Sequence, residues 1–187
     1  MKIVLIGTTA ACVLGFRADL IQALVARGDQ VYAFALDFDL ETRAKVRDLG
    51  AEPVDYIFSR AGLNPFGDIL NTYKLSKLIK NISPDLVFSY FSKPVIFGTL
   101  AAAMAGVKRR IGMLEGLGYV FTEKPEGASL KGRILKCVQV FLYRISFPFL
   151  ERIIFLNKDD PIDLIEKHKL KARKISVLGG IGLNLRN

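Results

Sequence analysis

The sequence predicts an α/β protein with a Rossmann-like, doubly wound and mainly parallel sheet of about seven strands. Short apolar runs, such as Ile3-Val4-Leu5-Ile6, alternate along the chain with longer amphipathic segments. Continuous apolar runs are typical of strands that are buried on both faces of a parallel sheet. The alternation itself indicates βαβ units, in which ligands bind beyond the carboxyl ends of the strands.

The first half of the chain is predicted to form strands at residues 3–6, 31–35, 52–56 and 86–89 and helices at 16–27, 40–49 and 68–82. Gly28 and Gly50 end the first two helices, because glycine readily adopts the left-handed conformation that closes a helix. A loop is expected from Gly7 to Gly15. Asp68 is the expected N-cap of the third helix, because its carboxylate can accept from free backbone N–H groups.

The second half is predicted to add strands at residues 110–114, 153–156 and 174–178 and helices at 94–106, 130–147 and from 159 onward. Helix 130–147 has an apolar stripe that is expected to pack on the core, formed by Ile134, Cys137, Val138, Phe141, Leu142 and Ile145. Its opposite arc, expected in solvent, holds Arg133, Lys136, Gln139, Tyr143 and Arg144. The predicted domain covers residues 1–178, and residues 179–187 are expected to start an interdomain linker.

Composition limits the classes of protein to which the chain can belong. Its 187 residues suffice for one sizeable domain, and 51% of them are hydrophobic, so a core can form. The formal net charge of +9 indicates an anionic partner, such as a phosphorylated ligand or an anionic lipid surface. Cys12 and Cys137 lie far apart, which disfavours a disulfide framework or a zinc site and indicates a reducing compartment. No apolar stretch is long and uncharged enough to span a membrane.

Several enzyme classes lack their usual motifs here. Residues 7–12 do not match the dinucleotide fingerprint G-x-G-x-x-G, and no P-loop motif occurs. His168 is the only histidine, so neither a histidine-based metal site nor a catalytic triad is expected. Asp37-Phe38-Asp39 is a D-x-D triplet, a pattern that can hold a metal bridging a nucleotide diphosphate. We interpret it instead as a strand end followed by a helix cap.

Three segments at predicted strand or helix ends are harder to explain by packing alone. Arg17, in the first turn of a helix, is either a phosphate ligand or a solvated side chain. Residues 90–94 gather aromatic rings, the hydroxyl of Ser92 and the amine of Lys93, which suit a sugar or a phosphate, unless they form an ordinary loop. Glu115 precedes a flexible glycine-rich segment and is either a general base beside a mobile lid or an exposed loop carboxylate.

A set of weak motifs becomes specific through its order and spacing along nearly the whole chain. They are residues 2–7, 14–17 (Leu-Gly-Phe-Arg), 31–35, 50–54, 59–60, 62–65, 84–90 (Pro-Asp-Leu-Val-Phe-Ser-Tyr), 93–94, 116–122 and 157–160. In this combination the chain resembles the N-terminal domain of bacterial family 4 glycosyltransferases. These enzymes have the GT-B architecture, in which two Rossmann-like domains face each other.

The resemblance implies a retaining enzyme that transfers a hexosyl or N-acetylhexosaminyl group from a nucleotide-sugar donor, without a metal or another cofactor. This half would bind the acceptor, a polyprenyl-linked sugar or a glycan. The protein would be cytoplasmic and peripheral at the inner membrane face. A C-terminal domain, expected to be absent from this chain, would bind the donor, so the chain alone is expected to be inactive. The histidine usual after the fifth strand is missing, and Glu115 stands near its place.

Candidate site residues follow from these segments and the resemblance. Glu115 is the expected catalytic residue. The residues expected to bind the acceptor are Arg17, Tyr90, Ser92, Lys93, Gly116, Gly118 and Tyr119. The cations expected to face an anionic membrane are Lys131, Arg133, Lys136 and Arg144, unless they form the solvated back of a core helix.

Two other functions remain open. One is a non-catalytic acceptor-binding subunit that works with a complementary C-terminal half, as in split glycosyltransferases. The other is a nucleotide-sugar epimerase-like Rossmann enzyme, which tight nucleotide binding by this chain would favour. No nucleic acid is expected as a partner, because no aromatic and basic strand motif of the RNA-binding type occurs.

Overall fold

Seven parallel strands form one sheet, in the order β3-β2-β1-β4-β5-β6-β7. The structure is a computed structural model that describes residues 1–59, 65–118, 120–121 and 129–181. The strands are β1 (Lys2–Ile6), β2 (Gln30–Ala35), β3 (Ala51–Asp55), β4 (Leu86–Tyr90), β5 (Arg109–Leu114), β6 (Arg152–Phe155) and β7 (Ile175–Val177). The predicted doubly wound parallel sheet is confirmed.

Helices cover the sheet on both faces. The front face, to which Ile3 and Leu5 point, carries α1 (Ala10–Phe16), α2 (Ala18–Ala26) and α3 (Leu40–Asp48). The rear face, to which Val4 and Ile6 point, carries α4 (Pro65–Ile82), α5 (Thr99–Met104) and α6 (Leu130–Ser146). A π-helical turn (Pro94–Gly98) leads into α5, a 3₁₀ turn (Phe147–Phe149) follows α6, and α7 (Asp159–Pro161) continues as a π-helical turn (Ile162–Glu166).

The core explains why the strands read as unbroken apolar runs. In β1, Ile3 and Leu5 pack into the front cluster while Val4 and Ile6 pack into the rear cluster, and all four are at most 1% exposed. Because successive side chains of a strand point to opposite faces, a strand covered on both faces needs an apolar residue at every position.

The segment after β1 differs from the loop predicted for residues 7–15. α1 begins directly after Thr9, whose hydroxyl oxygen accepts from a backbone N–H of the first turn and caps the helix. α2 confirms the helix predicted at 16–27, and α1 is an additional short helix within the segment predicted as a loop. Arg17 lies at the junction between them rather than in a first helical turn.

α4 also begins earlier than predicted, at Pro65. Asp68, the predicted N-cap, is instead buried in the first turn of the helix, and its carboxylate lies 3.5 Å from Nζ of Lys93. The prediction was wrong because an aspartate is favourable both at the N-cap and within the first turn, where the helix dipole stabilises negative charge. The sequence alone does not distinguish these two positions.

The D-x-D triplet caps helices, as interpreted from the sequence. The carboxylate of Asp39 accepts from the backbone N–H of Thr42 at 2.8 Å and completes a capping box at the start of α3. The carboxylate of Asp37 accepts from the backbone N–H of Ala10 at 2.7 Å, at the start of α1. Both carboxylates thus have helix N–H groups as partners.

α6 confirms the helix predicted at 130–147, but it is turned the other way. Its apolar stripe points outward, and Ile134 and Phe141 are exposed. Tyr143, which was expected in solvent, is fully buried; its ring lies 4.9 Å from that of Phe147, and its hydroxyl oxygen accepts from Nε2 of Gln139 at 3.0 Å. The prediction failed because periodicity identifies an apolar face without saying where that face points.

An apolar groove of about 390 Å³ runs along the front face. Its floor is formed by strand residues and its wall by α1 and α2, and the lining includes Leu86, Phe88, Ile111, Ile154, Phe16 and Leu20. Within the described ranges, the helices that follow β4 and β5 lie on the rear, so none covers this part of the front. A parallel sheet normally has both faces covered.

Considering only the described part of the chain, no helix has the length and apolar character needed to cross a membrane.

Candidate functional site

The carboxyl edge of the sheet has a crevice between β1 and β4. The chain leaves β1 towards the front helices and leaves β4 towards the rear helices, so the connections diverge between these neighbouring strands. Ligands of open parallel sheets bind at such a switch point. Gly7 follows β1, Phe91 follows β4 and Glu115 follows β5, which places all three at this edge.

Arg17 and Glu115 form an ion pair across this crevice. Arg17 is 2% exposed, and its Nη2 donates to Oε1 of Glu115, although the two residues are 98 positions apart. Nη1 of Arg17 donates to the carbonyl oxygen of Phe16 at 2.8 Å. Nε of Arg17 is buried and has no hydrogen-bond partner within the described ranges. The guanidinium is therefore held from two sides, and its buried Nε–H is left without a partner.

Burial raises the pKa of Glu115 above the ordinary glutamate value, and the neighbouring Arg17 opposes part of this rise. Desolvation disfavours the carboxylate, whereas the guanidinium favours it. A carboxyl group with a raised pKa is a stronger base once ionised and can accept a proton from an uncharged hydroxyl during a reaction. Glu115 thus has the environment expected of a general base at a strand end.

The ring of Tyr90 packs against the Arg17 guanidinium and is not accessible to a ligand. It is fully buried, its ring centroid lies 4.3 Å from Cζ of Arg17, and burial raises its pKa. A Cβ atom at residue 7 would overlap the Tyr90 phenol, so Gly7 is required for this close approach. The structure gives Tyr90 a position under Arg17 in place of the predicted direct contact with an acceptor.

Ser92 belongs to a second network, next to the crevice. Its side chain shares a hydrogen bond with Tyr143 of α6. Burial raises the pKa of Tyr143, and the hydrogen bonds with Ser92 and Gln139 limit this rise. Ser92 itself is half-buried. The predicted acceptor-binding residue therefore keeps a partly accessible hydroxyl, while it also ties the end of β4 to α6.

Lys93 has partners inside the protein. Its Nζ donates to the carbonyl oxygen of Ser59 at 2.9 Å and to the hydroxyl of Ser59 at 2.8 Å, and it lies 3.5 Å from the carboxylate of Asp68. These contacts join the end of β4 to the segment after β3 and to the first turn of α4. The structure thus assigns Lys93 a bracing role, and any contact with an acceptor would have to compete with these partners.

The backbone after β4 is unusual in two ways. Phe91 adopts a left-handed conformation, with φ of 71°, which is rare for a bulky residue. The helix that follows starts with the π-helical turn Pro94–Gly98. Strained residues and π-helical turns both occur preferentially at functional sites.

Gly116 and Gly118 follow Glu115 and both have positive φ, of 143° and 81°. A Cβ atom at either position would meet nothing within 4 Å, so the requirement for glycine is conformational rather than steric. Tyr119, the remaining predicted acceptor-binding residue, lies outside the described residues. The predicted site thus comes together as Arg17, Glu115 and the two glycines, with Ser92 and Lys93 in neighbouring networks.

The sequence predicted Asp160 only as part of a helix start, and the structure places it in α7, just after β6. The side-chain oxygen of Asn157 accepts from the backbone N–H groups of Asp159 at 3.0 Å and of Asp160 at 2.8 Å, so Asn157 caps the next helix. Oδ2 of Asp160 is buried without a hydrogen-bond partner among the described residues, and burial raises the pKa of this carboxyl. Its charge in turn raises the pKa of Tyr143. The signal for this arrangement was the asparagine three positions earlier, a residue type that commonly caps helices.

The described residues contain no cluster of metal-ligating side chains. His168 packs edge-on against Phe121, with ring centroids 6.1 Å apart, and burial together with Lys136 and Arg144 lowers its pKa. Of the four cations expected to face a membrane, Lys131, Arg133 and Arg144 are exposed and Lys136 is half-buried.

Comparison with solved structures shows the same fold. The chain superposes on the structure of Anabaena Alr3699/HepE in complex with UDP and glucose with a TM-score of 0.61 and 14% identity, covering 95% of this chain and 44% of that one. For the UDP-GlcNAc 2-epimerase from Neisseria meningitidis bound to UDP-GlcNAc, the TM-score is 0.62 and the identity 13%, covering 97% and 47%. At these identities the likeness shows the fold alone.

Sequence comparison is more specific. The chain is 34% identical over 186 residues to the N,N'-diacetylbacillosaminyl-diphospho-undecaprenol alpha-1,3-N-acetylgalactosaminyltransferase of Campylobacter jejuni, and it spans 48% of that relative's length. The family model of Glycosyltransferase Family 4 matches residues 18–179, which include Glu115 and all seven strands except β1. The chain therefore belongs to Glycosyltransferase Family 4.

Proposed function

We propose that this chain is the acceptor-binding N-terminal half of a retaining glycosyltransferase. The enzyme would transfer a hexosyl or N-acetylhexosaminyl group from a nucleotide-sugar donor to a polyprenyl-diphosphate-linked sugar. The observation that carries the proposal is the Arg17–Glu115 ion pair at the crevice between β1 and β4, in a chain of this family. The acceptor class follows the C. jejuni relative, whose name specifies a diphospho-undecaprenol-linked sugar.

The proposed chemistry uses Glu115 on the acceptor hydroxyl. This hydroxyl donates a hydrogen bond to the carboxylate, and its oxygen forms the new bond to the anomeric carbon of the donor. The bond from that carbon to the donor phosphate breaks, and the nucleoside diphosphate leaves with the electron pair. The proton moves to Glu115 or to the departing phosphate, and the raised pKa of Glu115 favours the first route.

Arg17 has a positioning role in this proposal. Its guanidinium fixes one carboxylate oxygen of Glu115 and leaves the other for the acceptor. Its free Nε also offers a buried donor to an anionic group that enters the crevice. A buried, pre-oriented donor of this kind stabilises negative charge more strongly than a solvated arginine does.

A second half of the enzyme would hold the donor. The chain spans about half the length of the relatives it matches. The apolar groove over Leu86, Phe88 and Ile154 on the front face is a surface that an apolar segment of that half would cover. The same groove favours the second candidate function, a non-catalytic acceptor-binding subunit that pairs with a separately encoded donor-binding half.

The proposed location is the cytoplasmic face of the inner membrane, as a peripheral protein. The acceptor class would be anchored there by its polyprenyl chain, and the net charge of +9 favours an anionic surface. No metal or other cofactor is part of the proposal, since the family resemblance implies none.

The test is sugar transfer from radiolabelled nucleotide sugars to a polyprenyl-diphosphate-linked sugar. The intact two-domain enzyme should form a labelled lipid-linked product, this chain alone should form none, and its affinity for nucleotide sugars should be weak. Tight nucleotide binding by this chain alone would favour the epimerase-like alternative. Activity that appears only when a separate donor-binding chain is added would identify the split form.

A further inference from the structure

A basic pocket of about 550 Å³ opens on the outer side of α6. Its lining combines three cations of α6, the imidazole of a residue just beyond the π-helical turn Ile162–Glu166, and apolar side chains of α6. These residues are Arg133, Lys136, Arg144, His168, Val140 and Phe141. None of them belongs to the crevice between β1 and β4. Pockets for small molecules have volumes of about 300–1,000 Å³, so the basic pocket has room for an organic ligand.

The three cations of the basic pocket lack a carboxylate partner. Among the described residues, no ion pair joins any of them to an acidic side chain. Arg144 instead donates to the carbonyl oxygen of His168 at 2.8 Å. The carboxylate of Asp163, on the π-helical turn that precedes His168, lies 2.6 Å from Nζ of Lys167. The positive charge of the pocket is therefore not neutralised within the described part of the chain.

The imidazole of His168 shows the effect of this charge. Burial lowers its pKa, and the cations Lys136, Arg144 and Lys167 lower it further, because protonation would add another positive charge beside them. A bound anion would oppose the effect of these cations and raise the pKa of the imidazole. His168 is the only histidine of the chain, so its ring signals report on this pocket alone.

The basic pocket also has an aromatic component. The side chain of Phe141 is 59% exposed, so one face of its ring is open to a ligand. Phe121 lies nearby: its ring centroid is 4.7 Å from Nζ of Lys136 and 6.1 Å from the ring of His168. Nucleic-acid bases stack on exposed aromatic rings, and phosphates form charge-assisted hydrogen bonds with lysine and arginine. The combination therefore suits a ligand that has both a base and phosphates.

We propose that the basic pocket binds a soluble nucleoside phosphate. The phosphates would contact the cations Arg133 and Lys136, and the base would stack on the ring of Phe141. The lining residues surround one concavity, which a small ligand can enter and a flat charged surface cannot. The proposal goes beyond the proposed function, because it uses no residue of the crevice and no step of sugar transfer.

The expected affinity is weak. Arg133 and Arg144 are exposed, and ion pairs with exposed side chains gain little free energy, so we expect a Kd for UDP on the order of 1 mM. This value agrees with the weak nucleotide affinity expected of the chain under the proposed function. The epimerase-like alternative would instead require tight binding that depends on the crevice.

The first experiment follows the ring signals of His168 by NMR while UDP is added to the chain. The signals should shift until the pocket is saturated, and the midpoint of the His168 titration should move to higher pH. Added salt should weaken the binding. Pyrophosphate, which lacks the base, should bind about tenfold more weakly than UDP, because stacking is lost. Uridine, which lacks the phosphates, should give no saturable shift.

The second experiment repeats the titration with variants. Arg133→Gln should weaken UDP binding by about fivefold. Phe141→Ala should weaken it by about tenfold. Both side chains are exposed, so thermal melting should be unchanged. Lys74→Gln removes the same charge from an exposed side chain of α4, and Leu40→Ala removes an exposed apolar side chain of α3; both controls should bind UDP like wild type.

Three results would overturn the proposal. The first is a set of His168 signals that do not respond to UDP at concentrations well above the expected Kd. The second is a response in Arg133→Gln and Phe141→Ala equal to that of wild type. The third is pyrophosphate that binds as tightly as UDP, which would identify an adventitious ion only. Because no result depends on sugar transfer, failure of this proposal and failure of the proposed function are distinguishable.

Discussion

The guanidinium of Arg17, at the junction of α1 and α2, donates to the carboxylate of Glu115 at the end of β5 and so joins the two sides of the switch point. The side chain of Arg17 is almost completely buried, so this charge depends on its partner. The pair therefore has two consequences: it stabilises the crevice, and it sets the basicity of the carboxylate proposed to act on the acceptor.

Removing Glu115 should destabilise the protein more than removing both partners. Glu115→Ala leaves the buried Arg17 charge without its carboxylate, and we expect a loss of about 3 kcal/mol in the free energy of unfolding. Arg17→Met combined with Glu115→Gln should lose less, because no buried charge is left unpaired. Urea unfolding of the single and double variants measures the difference. Equal losses in Glu115→Ala and the double variant would contradict the burial-driven account of the pair.

Gly7 should be intolerant of even one methyl group. Gly7→Ala places a Cβ where the Tyr90 phenol lies, and overpacking of this kind costs about 1–3 kcal/mol. Tyr90→Phe in the same chain should recover part of the loss, because the hydroxyl is one of the overlapping atoms. Gly15→Ala is the matched control: its Cβ would meet nothing within 4 Å in α1, so the change should be neutral or slightly stabilising. A Gly7→Ala protein as stable as Gly15→Ala would refute the close approach.

The orientation of α6 is testable with two aromatic residues on its opposite faces. Tyr143→Ala removes a fully buried ring and its hydrogen bonds, and should cost about 3–5 kcal/mol. Phe141→Ala removes an exposed ring and should change stability by no more than about 0.5 kcal/mol. Chemical denaturation of both variants distinguishes them. The reverse ranking would mean that the stripe predicted from the sequence is the buried one after all.

The raised pKa of Glu115 should make the free energy of unfolding depend on pH. Because the folded state holds the proton more tightly than the unfolded state, the group contributes stability below its unfolded pKa, and this contribution is lost as pH rises through the higher folded pKa. Replacing Arg17 by Met should move that loss to higher pH, since Arg17 opposes the rise. Unfolding free energies across the acidic range check the direction. In Glu115→Gln this part of the pH dependence should disappear.

The sheet was predictable because helices cover both faces of its central strand, β1, and most of the rest of the sheet. Every position of a strand such as β1 must then be apolar, and glycines with positive φ, Gly28 and Gly50, end the helices that separate the strands. These are local signals. The family resemblance depended on the same local signals in a fixed order.

The rest of the site depends on contacts between distant parts of the chain. From the sequence alone, Arg17 is equally compatible with a solvated side chain. Its buried position depends on Glu115, which is far away in sequence and becomes its neighbour only in the fold. Tyr143 was predicted to face solvent because of its hydroxyl. It can be buried because Ser92 and Gln139 are hydrogen-bond partners for that hydroxyl. The face on which α6 packs is decided by such partners, and helical periodicity alone does not contain them.

The most direct test of the account is the turnover of Glu115→Gln in the intact two-domain enzyme, with a polyprenyl-diphosphate-linked sugar as acceptor. The amide keeps the shape of the side chain and removes its basicity, so kcat should fall by about 10²–10⁴-fold while KM for the nucleotide sugar stays the same. The acidic limb of the wild-type pH profile should also vanish, since it reports the raised pKa of this carboxyl. A Glu115→Gln enzyme with wild-type kcat and an unchanged pH profile would show that the crevice between β1 and β4 does not use this carboxylate in glycosyl transfer.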